Sequence, residues 1–567
     1  MWPAASTQAQ ATWKAGSRRG ISAIPKTPRW TKFPWTTVRI TQERCWKAMR
    51  SICSIIIRLA ALILALSLCI PAFATEADGE LTLGMLSVKT TFLNPLQAQE
   101  RDFQALTHLI YDSLVVLDDN YMPQSAVAES WVKSNDAKKW TFYLREDVTF
   151  HDGTPLTAYD VEATVNEILR LGAEGKGQYS SLKYMVDSVT ATDAKTLNVV
   201  SKRPYYGFIY AMTFPILPKD QVQSADPVGS GPYFVSAFAP GDYLYLTVND
   251  NWWQEPSDIR YLNVVFTNET RSLVGLYENN EVDAAITRSA SAAQFSRGTS
   301  SVSLSYRTQQ LETLLINNKD YAGYLSDPNV RLAIRYALNI DQIAQSAYQD
   351  MVIRTDTPLP MGSWMYQDDP SFRYDPDKAR ELLAQAGWVD MDNDPNHILN
   401  KVIDGKVKNL HLRLYVYEEQ SNSVRVEAAN QIADMLLQVG IEVKVENISF
   451  TQASEKLSAG SYDLCLAAYQ MDAVPDPGFM LMSGNTGNYA RYRSSAMDEL
   501  FDALRKASDF DEYERLLHQV QTQFAQDCPF ICLYYRTGAV MTRKLFTFAR
   551  DVREPNILRG IETYQRD

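Results

Sequence analysis

Cysteine, histidine and long apolar runs are all scarce in this 567-residue chain. Past residue 75 only Cys465, Cys528 and Cys532 remain, and three thiols cannot all pair, so a disulfide framework is excluded. We expect Cys528 and Cys532 to be buried thiols of a strand, with a disulfide between them as the alternative. No stretch after residue 75 approaches eighteen apolar residues, so this part of the chain is not expected to span a membrane.

Positive charge is also in short supply once the first 74 residues are set aside. Those residues carry eleven Lys or Arg and one acid, a net charge of +10, so the −12 of the whole chain leaves −22 on residues 75–567. A strongly acidic surface repels phosphate and gains nothing from counterion release. Nucleic acid is therefore excluded as a partner.

Catalytic and metal-binding motifs are missing as well. None of the five histidines stands four residues from another or beside a cysteine, as metal ligands commonly do. No Gly-x-Ser-x-Gly elbow or glycine-rich phosphate loop occurs. His151 and Asp152 lie in a predicted turn, where we expect a structural role. The sequence therefore predicts no enzyme, no metal and no cofactor. A secreted hydrolase with two carboxylates is the alternative, although no carboxylate pair is singled out.

The start of the chain predicts export. Residues 1–48 are basic and irregular, and we interpret them as a start-site artefact or a disordered extension. Two arginines then precede the apolar run 59–70, and Ala72-Phe73-Ala74 offers an A-x-A cleavage site. This pattern predicts a signal peptide over residues 49–74.

Two kinds of membrane attachment compete with cleavage of that signal. Twelve helical residues reach only about 18 Å, short of about 30 Å of hydrocarbon, so an uncleaved anchor is the less favoured alternative. A lipid anchor at Cys69 is disfavoured because Leu68 occupies the preceding position, where a small residue is needed. We expect an exported protein, in the periplasm or at the extracellular face of the cell membrane.

The segment 128–169 predicts a hairpin that leads into a capped helix. Apolar and polar residues alternate from Trp140 to Arg145, which is the period of a half-buried strand. Asp152-Gly153 supplies a turn in which glycine can take a positive φ. Residues 157–160 then match a capping box, with Asp160 near the helix N-terminus.

Helices that end at a glycine and lead into strands indicate an α/β fold with mixed sheets. Asp375-Pro376 begins a helix with an N-cap and a proline at its first position, and Gly387 ends it. A second apolar stripe, 429–437, is closed by Gly440, and apolar residues then alternate as a strand. Nearly 500 residues exceed one hydrophobic core, so we expect two or three domains.

The order of these segments resembles that of family 5 of the extracellular solute-binding proteins, the peptide and nickel receptors of ABC importers. Besides 128–169, the resemblance rests on further stretches in the same order. They are 93–96 with 110–114, PVGSGPY at 227–233, ENNEVDAAI at 278–286 (where Asn280 replaces the usual glycine), NVRLAIRYALNIDQI at 329–343 and YDPDKARELLAQAGW at 374–388.

The resemblance implies a periplasmic-binding-protein-like fold of class II (cluster C): two lobes with mixed sheets around a cleft, plus an extra subdomain. Lobe I would comprise residues 75–96, 225–310 and 530–567, its subdomain 97–224, and lobe II 311–529. The implied function is that of a monomeric receptor that captures a short peptide and delivers it to ABC permease subunits in the membrane. A nickel complex or an oligosaccharide is the alternative ligand.

The loop after the apolar strand 464–468 carries the strongest candidates for ligand contact. In peptide-binding members of the family a similar loop begins with an aromatic residue and carries an aspartate that pairs with the peptide α-ammonium. The resemblance assigns these places to Tyr469 and Asp472. Such a charge-assisted hydrogen bond contributes about 1.5–3 kcal/mol in a closed cleft. A turn-forming role is the alternative for Asp472.

Three more residues complete the set of candidate ligand contacts. Trp364 follows a proline-rich break and would line the cleft, with core packing as the alternative. Arg354 and Arg491 would meet a ligand carboxylate, with surface salt bridges as the alternative.

Overall fold

A computed structural model describes residues 79–86, 91–98, 100–289, 301–319, 322–367, 373–391, 395, 397–417, 424–543 and 552–561. The predicted extension 1–48, the signal peptide 49–74 and Cys69 lie outside the described residues. Within the described ranges, no helix combines the length and the apolar character needed to cross a bilayer.

Eleven α-helices and nineteen strands are assigned within these ranges. The helices are α1 Arg101–Ile110, α2 Ala158–Ala173, α3 Thr270–Glu278, α4 Pro328–Ala337, α5 Ile340–Tyr348, α6 Pro376–Gln385, α7 Val424–Leu437, α8 Phe450–Ala459, α9 Gly478–Leu481, α10 Ser495–Arg505 and α11 Phe510–Asp527, with 3-10 turns at Ser180–Tyr184 and Tyr206–Ala211. The strands are β1 Glu80–Leu86, β2 Val115–Leu117, β3 Pro123–Ser125, β4 Ala128–Lys133, β5 Lys139–Leu144, β6 Val186–Ala191, β7 Thr196–Ser201, β8 Tyr233–Ala239, β9 Tyr243–Val248, β10 Tyr261–Thr267, β11 Ala284–Thr287, β12 Ser301–Ile316, β13 Val352–Arg354, β14 Asn400–Ile403, β15 Lys406–Asn409, β16 His411–Val416, β17 Glu442–Asn447, β18 Leu464–Gln470 and β19 Phe530–Arg543.

One large mixed sheet runs through the described chain. Its order is β17-β16-β18-β12-β19-β11-β1-β10-β9-β8, with β13 paired to β19. β1 is parallel to β10 and β11, whereas β12 is antiparallel to β18 and β19. The mixture of parallel and antiparallel pairs confirms the predicted α/β class.

Two long antiparallel strands, β12 and β19, join two halves of this sheet. The first half contains β8, β9, β10, β1 and β11, and the second half contains β16, β17 and β18. Residues 301–307 of β12 pair with 537–543 of β19, next to β11, whereas 311–316 pair with both β18 and 530–535. The register shifts between Arg307 and Leu311, so the pairing is interrupted where the strands pass from one half to the other. Interrupted pairing bends and twists a strand locally.

A buried ion-pair network lies next to this passage on β12. The carboxylate of Glu312 is completely buried and accepts from Arg425 of α7 at 2.7 and 3.0 Å. The Nε atom of Arg536 on β19 lies 3.3 Å from the same carboxylate. Removing one member of such a network would leave an uncompensated charge in a dry core, so these residues tie α7 to the central strands.

The hydrophobic residues form separate clusters in the two halves of the sheet. One large cluster draws on residues 81–286 and on the C-terminal residues 552–561. Two others use residues between Leu311 and Tyr535, apart from Tyr121, which joins the second of them from the β2–β3 hairpin. Residues from the N-terminal part and from the C-terminal end of the described chain therefore share the core of the first half.

The hairpin and helix predicted over 128–169 are confirmed. β4 and β5 pair antiparallel, the side chain of Asp152 accepts the amide of Thr154 at 2.9 Å in the turn, and Thr157 and Asp160 form a reciprocal capping box on α2. His151 donates its backbone N–H to Gly229 at 2.8 Å and contacts the Gly231 carbonyl through Nε2 at 3.0 Å. His151 therefore has the structural role expected for it.

Two of the other predicted turns show why particular residues occupy them. A Cβ at Gly229 would lie 1.8 Å from the carbonyl oxygen of Ile110, so only glycine fits where this turn packs on α1. Asn280, at a position where the resemblance implies glycine, has φ +63°. Asparagine is one of the few residues that tolerate this left-handed conformation.

The three thiols of the described chain are free and buried. Cys532 lies in β19 as predicted, whereas Cys528 stands at the C-terminal cap of α11 in a left-handed conformation. The expectation of two strand thiols is therefore wrong for Cys528, because α11 extends to Asp527. Burial raises the pKa of Cys528 to about 11 and that of Cys465 to about 12, so both are protonated at neutral pH.

Candidate ligand-binding site

The loop 471–477 leaves the end of β18 at the passage between the two halves. The amide of Met471 donates to the carbonyl of Gln309 at 2.8 Å, so the β12–β18 ladder continues one residue past the strand. Gln470 and Asp472 are exposed, whereas Met471 between them is buried. Alternate residues of an extended segment share a face, so Gln470 and Asp472 face the same open space.

Asp472 is open to solvent and yet surrounded by protein. Its Oδ1 accepts the amide of Val474 at 3.0 Å, as in an Asx turn. The enclosing protein disfavours the charge and, with a smaller contribution from Asp476, raises the pKa of Asp472 to about 6. Within the described residues no Lys, Arg or His side chain pairs with this carboxylate. It is a solvent-exposed carboxylate without a cationic side-chain partner among the described residues.

One tyrosine from each half lies within electrostatic reach of Asp472. Burial raises the pKa of Tyr205 and of Tyr535, and the charge of Asp472 adds to both shifts, which places the two rings within electrostatic reach of it. Tyr205 immediately precedes the 3-10 turn Tyr206–Ala211 in the first half, whereas Tyr535 lies on β19. Asp472 is therefore located where the halves meet.

Asp476, four residues further on, fixes the loop rather than facing a ligand. It accepts from Arg505 at 2.7 and 3.2 Å and from the amide of Gly478 at 2.8 Å. The hydroxyl of Tyr513 donates to the carbonyl of Pro475 at 2.9 Å. These bonds anchor the loop to α10 and α11, so the position of Asp472 does not depend on the loop alone.

Trp364 lies at the contact between the halves. Its ring centroid is 4.8 Å from that of Phe510 and 6.0 Å from that of Tyr210, and its Nε1 donates to the carbonyl of Tyr121 at 3.4 Å. Tyr206 and Tyr513 form a second aromatic contact there, at 5.0 Å. Trp364, Tyr206 and Phe510 are half-buried and form an aromatic wall near the loop, whereas Tyr210 and Tyr513 behind them are buried. Ligand contact by Trp364 stays a prediction.

The structure places Tyr469 away from this space, inside a hydrophobic cluster. Its ring packs against Phe479, Tyr489 and Phe530, and its hydroxyl donates to the carbonyl of Gly487 at 2.9 Å. This placement favours support of the loop from beneath over direct ligand contact, which stays a prediction.

The two arginines predicted to meet a ligand carboxylate are engaged elsewhere. Arg354 on β13 pairs with Asp341 at 3.0 Å and Asp356 at 3.3 Å. Arg491 donates to the carbonyl oxygens of Leu457 and Ser458 at the C-terminal end of α8. The structure therefore does not bring either of them together with Asp472, and it favours the salt-bridge and helix-capping roles.

A polar cluster that the sequence did not indicate lies on the Asp472 side of the passage. Arg101, the first residue of α1, donates from Nη2 to Gln470 at 3.2 Å and from Nη1 to Gln310 at 3.5 Å. Its Nε lies 4.0 Å from Glu554, which also pairs with Arg288 at 2.8 Å. The only local signal was a cation in a helix's first turn, where the dipole disfavours positive charge.

A cavity of about 480 Å³ lies on a different part of the second half. Tyr324, His411 and Arg413 are among its lining residues, with Asp463, which pairs with Arg413 at 3.1 Å. It lies against β15 and β16, near the far edge of the sheet, and none of the candidate ligand contacts lines it. This cavity is therefore separate from Asp472 and its neighbours.

Comparison with known proteins gives one consistent result. The family model described as "Bacterial extracellular solute-binding proteins, family 5 Middle" matches residues 122–491. The oligopeptide-binding protein AppA of Bacillus subtilis is 26% identical over 491 residues, which cover 81% of this chain and 87% of the relative. The probable D,D-dipeptide-binding periplasmic protein DdpA of Escherichia coli is 22% identical over 74% of this chain and 80% of the relative.

Solved structures share the fold at lower identity. AppA from Bacillus subtilis in complex with a nonapeptide has a TM-score of 0.63 at 21% identity, covering 86% of this chain and 99% of its own. NikA from Brucella suis in complex with Fe(III)-EDTA has a TM-score of 0.72 at 19% identity, covering 86% and 100%. These likenesses confirm the predicted periplasmic-binding-protein-like fold.

Proposed function

Because the chain belongs to the family 5 bacterial extracellular solute-binding proteins, we propose that it captures short peptides between two lobes and delivers them to an ABC permease. Proteins of this family are transport receptors and not enzymes. Relatives include an oligopeptide-binding protein and a probable D,D-dipeptide-binding protein, which supports a peptide as the ligand. We further propose the division into lobe I (75–96, 225–310, 530–567), its subdomain (97–224) and lobe II (311–529).

The single observation that carries the peptide proposal is the state of Asp472. An aspartate whose pKa is raised by the surrounding protein and that does not pair with a cation within the described residues costs the folded protein free energy. Such a group gains most from a cationic partner that arrives with the ligand. The α-ammonium of a peptide is such a cation, and its charge-assisted hydrogen bond is worth about 1.5–3 kcal/mol.

The surroundings suit a ligand whose side chains vary. Gln309 and Gln470 offer amide groups that can bond to a peptide backbone, and the half-buried rings of the aromatic wall offer apolar contact. Ligand binding then shifts the equilibrium between the open and the closed form toward the closed form, in which the ligand makes both sets of contacts.

Family membership also supports proposals for where this protein works and how it assembles. Family 5 binding proteins work in the periplasm or at the extracellular face of the membrane, and we propose export of this chain by the signal 49–74 without a lipid anchor at Cys69. The receptor would act as a monomer and meet its permease subunits in the loaded, closed form.

Native mass spectrometry with a mixed peptide pool tests this proposal. The parent protein should carry peptide adducts, and Asp472→Asn should lose them. The control is Asp377→Asn, which removes an exposed carboxylate that pairs with Arg380 in α6, and it should bind like the parent. If the parent takes up no peptide, or if Asp472→Asn keeps all adducts, the proposal is wrong. Uptake of a nickel complex or an oligosaccharide instead would identify the alternative ligand class.

A further inference from the structure

Arg101 presents a partly exposed guanidinium to the space that Asp472 faces. Its side chain is 36% exposed. Its two terminal nitrogens donate to neutral amide oxygens, Nη1 to Gln310 at 3.5 Å and Nη2 to Gln470 at 3.2 Å. The nearby carboxylate of Glu554 is almost completely buried and already holds Arg288 at 2.8 Å and the amide of Gln309 at 3.0 Å. A ligand carboxylate would therefore be a stronger partner for Arg101 than the amides are.

The distance between the Arg101 guanidinium and the Asp472 carboxylate follows approximately from the rise of the strand. Gln470, which Arg101 contacts at 3.2 Å, stands two residues before Asp472 on the same face of an extended segment. Two residues of strand advance about 7 Å, and the contact to Gln470 extends this, so the two charges are about 7–10 Å apart. Anion and cation thus face one space at a defined separation.

We propose that Arg101 binds the C-terminal carboxylate of the peptide whose ammonium pairs with Asp472. The inference rests on the proposed function and names its substrate class: short peptides with a free C-terminal carboxylate. An extended dipeptide spans at most about 7 Å and a tripeptide about 11 Å, and the hydrogen bond at each end adds about 2.8 Å, so either can reach both charges.

Isothermal titration calorimetry with alanine peptides tests the carboxylate contact. The parent protein should bind trialanine about tenfold to a hundredfold more tightly than trialanine amide, the factor expected for one charge-assisted hydrogen bond. Arg101→Gln should lose the same factor for the free acid and almost nothing for the amide, because the partner of the carboxylate is already gone. Arg260→Gln, which removes an exposed arginine paired with Asp250 at 2.6 Å, is the matched control and should behave like the parent.

The outcomes separate this inference from the function beneath it. Equal binding of acid and amide by the parent would overturn the Arg101 assignment while leaving peptide binding intact. Equal losses for both ligands in Arg101→Gln would show that Arg101 only holds the halves together through Gln470, and would also overturn it. Absence of binding for every peptide would defeat the proposed function itself.

Discussion

Lowering the pH from 7 to 5 should weaken peptide binding about tenfold through the single carboxylate of Asp472. Its pKa of about 6 in the unliganded protein makes it about nine-tenths ionised at pH 7 and about one-tenth ionised at pH 5. Only the ionised form pairs with an ammonium, and the apparent dissociation constant rises as the competent fraction falls. An ordinary aspartate, with a pKa near 3.9, would change affinity little over this range.

The ligand sets the upper limit of the same profile. A peptide α-ammonium loses its proton with a pKa of about 7.7–8.0, so affinity should also fall above pH 8. The expected curve is a bell with its maximum near pH 7 and about half of the maximal affinity near pH 6 and near pH 8. At pH 6 about half of the protein molecules hold a proton on Asp472, so binding should release about half a proton per peptide.

Titration calorimetry at constant ionic strength measures both quantities. Affinities at pH 5, 6, 7 and 8 give the profile, and repeating the pH 6 titration in buffers of different ionisation enthalpy gives the proton release. Asp472→Asn should bind weakly with no acid limb. An affinity that is the same at pH 5 and pH 7 would refute the reasoning, and so would an acid limb that survives in Asp472→Asn.

Three predictions concern stability. The raised pKa of Asp472 means that the folded state holds its proton more tightly than the unfolded chain does, so the ionised carboxylate destabilises the protein as pH rises from about 4 to 6. Thermal unfolding of Asp472→Asn should therefore show a gain in the free energy of unfolding at pH 7 and none at pH 4. The gain should be at most about 1 kcal/mol, because the carboxylate is exposed to solvent. Urea unfolding of Glu312→Gln should show a loss of about 3–5 kcal/mol, because Arg425 keeps a buried charge without its partner. Arg505→Gln should lose about 2–3 kcal/mol and also weaken peptide binding, because Asp476 and the loop lose their anchor.

The surface pair Lys378–Glu381, at 3.0 Å on α6, provides the control for the ion-pair variants. Glu381→Gln should change the free energy of unfolding by less than about 0.5 kcal/mol. If Glu312→Gln cost no more than this control, the buried network would not hold the central strands. Arg505→Gln with unchanged peptide affinity would show that the loop is positioned by other contacts. A lower melting temperature for Asp472→Asn at pH 7 would contradict the view of Asp472 as a strained anion.

The sequence by itself determined the local structures and the family. The hairpin, the capping box of α2 and the capped helix α6 depend on residues within a few positions of one another, so composition and spacing were sufficient. Asp472 could be selected for the same reason, since it follows directly on an apolar strand in a loop similar to that of the family.

Only the tertiary structure decided which side chains accompany Asp472. Tyr469 is three residues away, and on an extended segment an odd separation turns two side chains to opposite faces, so Tyr469 packs in the core while Gln470 shares the open face. Arg101 reaches Gln470 across 369 residues of chain, a contact that no local pattern encodes. Whether an arginine pairs with its own neighbours or faces a ligand depends on such long-range contacts, because its charge finds whichever acceptors the fold brings within reach.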